Sequence, residues 1–150
     1  FRSAANVGLV TQQILRAATE QTFDLLAYCF MPDHFHTLAG GAREDADLKV
    51  FVKRAKQYSG YYFKQATRKS LWQRYGYERT LRNEDATLDA MLYIIANPVR
   101  AGIVSTRADY PYWGTTVCSR EQLLEHLAMA GSSRPLAGPP EGGPTTDGIG

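Results

Sequence analysis

A mixed helix-and-strand (α+β) domain is what this sequence predicts, and three features predict it. An apolar and aromatic run, Phe23–Met31, is broken by Pro32-Asp33 and followed by a second short segment, His34–Ala39. Two other segments, Ala46–Lys69 and Glu84–Ala96, space their apolar residues as helices do. The chain has 150 residues and 44% hydrophobic content, enough for one domain with a proper core.

Taken in order, Phe1–Leu9 shows no clear period, and Val10–Glu20 reads as a helix capped by Thr11, with Val10, Ile14, Leu15 and Ala18 in one stripe. Phe23–Met31 reads as a buried strand, Pro32-Asp33 as a turn or bulge, and His34–Ala39 as a second strand or its continuation. Gly40 to Asp45 is a polar loop. In Ala46–Lys69 the residues Leu48, Phe51, Val52, Ala55, Ser59, Tyr62, Phe63 and Ala66 share a face, and Gly60 invites a kink or break. Leu71–Arg82 reads as an aromatic strand, with Trp72 more at home in the core than on a ligand. Asn83 caps a helix that Pro98 should end, because the residue before proline is pushed from helical geometry. Tyr110–Trp113 packs on the body, and Glu121–Ala130 makes one more helix. The domain is thus 1–130. In the tail 131–150, half of the residues are Gly or Pro and none is aromatic, so disorder is expected there.

The net charge of +2 hides an asymmetry. Between Asp47 and Asn83 stand ten basic residues against two acidic ones, a candidate footprint for phosphate. Within it Lys49, Lys53, Lys56 and Lys64 form a stripe beside the apolar face of their helix, and Arg74 and Arg82 follow. A solvated basic face is the ordinary meaning of such a stripe. The two cysteines, Cys29 and Cys118, make no disulfide framework, which favours a reduced, cytoplasmic setting. No apolar run is long enough to span a membrane.

Two of the three histidines, His34 and His36, are two residues apart. In an extended strand both imidazoles leave the same face, which makes two thirds of a metal site. A half-buried strand with two incidental histidines is the other reading. On the helix from Glu84, the apolar stripe is Leu88, Met91, Leu92 and Ile95. Tyr93 lies about 140° round from its centre, with Asn97 one turn later on the same side. Taken singly, these are a packing tyrosine and a helix-end asparagine.

Taken together, Met31-Pro-Asp-His-Phe-His36 resembles the histidine–hydrophobe–histidine (HUH) motif of the single-tyrosine transposases. Leu92-Tyr-Ile-Ile-Ala-Asn-Pro-Val-Arg-Ala-Gly-Ile-Val104 resembles their catalytic helix, and the match is closest to the REP-associated tyrosine transposases. It covers about Val10–Trp113 with the motifs in order, including a tryptophan segment at Leu71–Arg74. The resemblance implies a small antiparallel β-sheet with helices packed on it, ferredoxin-like and HUH nuclease-like. It also implies that His34, His36 and Asn97 hold a divalent metal, Mg²⁺ or Mn²⁺, and that Tyr93 is the nucleophile. Two departures stand out. The family's first strand would lie before Phe1, so one central strand is expected to be missing. Where relatives often carry an acidic residue followed by histidine, this chain has Glu78-Arg79.

The implied activity is that of a transposase: cleavage and rejoining of single-stranded, hairpin-bearing repeat DNA through a 5′-phosphotyrosine. Lys49, Lys53, Lys56, Arg74 and Arg82 would contact DNA, and Tyr75 and Tyr77 could stack on bases. Two other classes compete. A non-catalytic hairpin binder would keep salt-sensitive DNA binding without chemistry. A metal-dependent hydrolase would need a carboxylate base, for which Asp33 and Asp89 are the candidates.

Overall fold

The structure, a computed structural model, describes residues 1, 3–73 and 84–131. The expected strand beyond Gln73, with Arg74, Tyr75, Tyr77, Glu78-Arg79 and Arg82, the Asn83 cap and the tail from 132 onward lie outside the described residues.

Helix α1 spans Ala4–Glu20, and strands β1 (Phe23–Phe30) and β2 (Phe35–Gly41) form a hairpin. Helices α2 (Leu48–Thr67) and α3 (Glu84–Arg100) follow, then a single 3₁₀ turn at Arg107–Asp109, the short β3 (Trp113–Gly114) and α4 (Arg120–Gly131). The sheet has three strands in the order β2-β1-β3, and both neighbours run antiparallel to β1. The fold is therefore α+β, as the sequence predicts.

β1 is apolar nearly throughout because both of its faces are covered. Its pairing with β2 shifts register between Leu25 and Ala27, so Leu26 is an extra, bulged residue. The bulge changes the phase of the alternation. Phe23 and Leu25 before it, and Tyr28 and Phe30 after it, pack with α1 and α2. Ala27, Cys29 and Met31 pack with α3, α4 and Trp113 on the other side. Cross-strand partners share a face, so Phe35 opposite Phe30 joins the α1/α2 core, whereas His36 opposite Cys29 stands on the α3 face.

Three expectations are corrected. α1 starts at Ala4, not at Val10, because Val7 extends the buried stripe of Val10, Ile14 and Ala17 backwards. Thr11 instead returns its hydroxyl to the Val7 carbonyl at 2.7 Å inside the helix. α2 does not break at Gly60. A Cβ there would lie 3.2 Å from the Trp72 ring, so the glycine admits the indole, whose N–H donates to the buried Ser59 hydroxyl at 2.9 Å. Trp72 is thus a packing residue, half-buried against the α1/α2 core, and residues 71–73 are not in a strand.

α3 runs through Pro98 instead of stopping before it. Burial outweighs the local preference: Ile95, Ala96 and Pro98 are all buried, which holds the turn helical despite the missing N–H. The stop comes at Gly102, whose φ is 69°. There Ile103 N–H donates to the Pro98 carbonyl and Gly102 N–H to the Val99 carbonyl, a Schellman closure.

Two glycines make this testable with opposite signs. Gly102→Ala meets no atom within 4 Å but must hold a left-handed φ, so it should cost about 1 kcal/mol, or roughly 2–4 °C in Tm. Gly8→Ala sits in open space inside α1 and should raise Tm by a similar amount. Thermal denaturation followed by circular dichroism reads both.

Candidate active site

The hairpin turn builds the first half of the site. Met31 N–H donates to the His34 carbonyl at 2.8 Å, and Pro32 and Asp33 occupy the corners between them. His34 follows the turn and His36 is in β2, so both imidazoles leave the same side of the chain. Their Nε2 atoms are 3.0 Å apart, with rings nearly perpendicular at 83°. His34 Nδ1 meets the Asp33 carboxylate at 2.6 Å, and this contact holds the Asp33 carboxyl below the usual range. Burial, and then the neighbouring His34, push the His36 pKa down to about 4, so this ring is neutral at physiological pH.

α3 lies against β1 and β2 and brings the second half. Tyr93 is half-buried, and its ring centroid is 6.4 Å from that of His36 in an edge-to-face arrangement. The two histidines and the tyrosine, predicted separately from sequence, therefore meet. Asn97 follows one turn later. Its Nδ2 is buried and has no hydrogen-bond partner among the described residues. The Arg100 guanidinium, two turns after Tyr93, lies 4.6 Å above the tyrosine ring. Neither Arg100 nor the Asp33 contact was expected from the sequence. The spacing of seven residues, two helical turns, was the available signal for Arg100.

The residues fit a divalent cation. Metal–nitrogen bonds of about 2.1 Å hold neighbouring donor atoms roughly 3.0–3.4 Å apart, which is the spacing of the two Nε2 atoms. Among the described residues no group of three or more His, Cys, Asp and Glu side chains is placed to hold a metal, so a cation at the imidazole pair would require a donor of another kind. A buried amide lacking a partner is such a donor. The two ends of an amide exchange readily, and a half-turn would put Oδ1 of Asn97 where Nδ2 now stands.

The basic candidates lie elsewhere. Lys49 and Lys53 are exposed and Lys56 half-buried on α2, which packs on α1 across the sheet from α3. The structure does not bring them to the histidines. Tyr62, expected in the core stripe, is exposed and pairs edge-to-face with exposed Tyr61 at 5.3 Å, giving the basic helix two outward aromatics. Both cysteines are free: Cys118 is exposed, and burial pushes the Cys29 thiol up to about 12. No helix among the described residues is long and apolar enough to cross a membrane.

Comparison with known proteins bears on the family and the fold. A REP-associated tyrosine transposase of Escherichia coli K12 is 24% identical over 104 residues, covering 69% of this chain and 61% of its own length. A Haemophilus influenzae protein assigned to the same group is 29% identical over 115 residues, covering 65% of this chain and 64% of that protein. The chain thus spans less than two thirds of the length of these curated relatives. A solved REP-associated tyrosine transposase bound to a REP hairpin superposes with a TM-score of 0.63 at 23% identity, covering 96% of this chain and 78% of that one, and so shares the fold. The sequence model of the family described as "Transposase IS200 like" matches residues 7–94, which include His34, His36 and Tyr93 and stop short of Asn97. With more than half of its length matched, the chain belongs to the IS200-like transposase family.

Proposed function

We propose that this protein cleaves and rejoins single-stranded DNA next to a hairpin, with Tyr93 as the nucleophile. The observation that carries the reading is the meeting of Tyr93 with the His34–His36 couple across the gap between α3 and β2. The Tyr93 hydroxyl attacks a backbone phosphorus, a phosphotyrosine ester forms, and the bond to the upstream 3′ oxygen breaks. That oxygen takes up a proton and leaves as a 3′-hydroxyl. The phenol's proton is released, and attack by a 3′-hydroxyl reverses the sequence and joins the strands.

His34, His36 and Asn97 would hold a divalent cation, Mg²⁺ or Mn²⁺, which supplies a Lewis acid for the scissile phosphate. The protein's own groups do the rest. Neutral His36 keeps a lone pair available without competition from protons near neutral pH. Arg100 places a fixed positive charge beside the nucleophile, where the phosphate must arrive. Hairpin DNA is the proposed partner because the solved neighbour holds a REP hairpin. Lys49, Lys53 and Lys56 offer it phosphate contacts across the sheet from Tyr93, so a bound DNA would reach round the sheet rather than lie in one groove.

A 3′-labelled hairpin strand incubated with Mn²⁺ should yield a labelled protein–DNA adduct on a denaturing gel, lost entirely in Tyr93→Phe. Equal adduct in that variant would end the proposal, and hairpin binding without any adduct would favour a recognition protein. Replacing Lys49, Lys53 and Lys56 together by Gln should flatten the salt dependence of binding by about 2–3 in log–log slope. At saturating DNA the rate of adduct formation should stay within about twofold.

His36 also sets a pH dependence. Its folded pKa of about 4 lies below the ordinary 6.5, so between these values the unfolded chain binds a proton that the folded one refuses. Stability from this group is full above pH 6.5 and is lost as pH falls toward 4. In metal-free protein Tm should decline across that window, and His36→Gln should flatten the decline.

A further inference from the structure

We infer that Asp33 is a positioning residue that locks His34 in its Nδ1–H tautomer and so turns the Nε2 lone pair toward His36. This rests on the reading of the two imidazoles as a cation site. The carboxylate accepts at 2.6 Å from Nδ1, the ring nitrogen that faces away from His36, while the opposite nitrogen, Nε2, is the one 3.0 Å from His36. A neutral imidazole carries one proton, and a carboxylate can only accept. The proton therefore resides on Nδ1, and Nε2 is a pure acceptor or ligand. Left alone, an imidazole is free to carry its proton on Nε2, where it would block that lone pair.

The turn explains how adjacent residues manage this contact. The bond from Met31 N–H to the His34 carbonyl closes the chain on itself, and Pro32 restricts the backbone before Asp33. The Asp33 side chain then folds back over Nδ1. It is 85% exposed, so the contact contributes little to stability. Its effect is orientation. An exposed carboxylate that merely neutralises a passing charge would have no reason to bond the single nitrogen that sets the lone pair opposite.

Two measurements on the folded, metal-free chain and its variants decide the matter. Long-range ¹⁵N–¹H NMR of the imidazoles should show His34 as the Nδ1–H tautomer in the unsubstituted protein and in Asp33→Asn, whose amide oxygen still accepts. In Asp33→Ala the ring should shift to the Nε2–H form. Mn²⁺ titration followed by electron paramagnetic resonance should give a dissociation constant raised roughly 10–100-fold in Asp33→Ala. Asp33→Asn should stay within about threefold of the unsubstituted protein. A His34 that remains Nδ1–H in Asp33→Ala overturns the inference. An unsubstituted protein that shows this tautomer yet binds no Mn²⁺ overturns the cation reading instead and leaves the tautomer assignment standing.

Discussion

One extra residue in the central strand governs the placement of everything else. Without the bulge at Leu26, strict alternation would send Cys29 to the same side as Phe23 and Leu25, and its partner His36 would follow it under α1 and α2. With it, the aromatic half of the strand serves the α1/α2 core and the histidine couple opens toward α3. The two faces of a thin sheet can then specialise. One is filled by Phe30, Phe35, Phe23 and Phe51; the other combines apolar packing with a polar corner at its margin.

That corner depends on two devices of different kinds. The hairpin turn is short-range, and its closure positions His34 and Asp33 from within four residues. The tyrosine arrives by long-range packing of α3, whose register on the sheet is set by buried Met91, Ile94 and Ile95. Extension of that helix through Pro98 to Gly102 keeps Asn97 and Arg100 on the same rigid rod as Tyr93. A helix that ended before proline, as local preference dictates, would leave Arg100 in a loop.

Much of this was legible in the residues because it rests on strong periodic or compositional signals. The apolar run of β1, the stripe of α3 and the His-x-His spacing identify their elements and their exposed polar sides. What was not legible came from packing between distant segments. Pro98 stays helical only because neighbouring residues are buried, and Gly60 reads as a breaker until Trp72 is seen lying against it. Tyr62 fits the helical stripe by angle, yet the buried line of α2 runs through Phe51, Ala55 and Ser59 and leaves it in solvent. The bulge has no signature in the string of letters, and neither has the separation of the α2 lysines from Tyr93 by the width of the sheet.

The thiol of Cys29 sits directly across the hairpin from His36, yet burial keeps it protonated far above physiological pH. Sulfur binds metals as thiolate, so the donor nearest in register to the imidazoles is silenced by the hydrophobic packing that surrounds it. The other nearby sulfur, the Met31 thioether, is taken up in the same packing, 3.9 Å from the Cys29 sulfur. Discrimination against soft, thiophilic ions would then come from the apolar core and not from the ligands themselves.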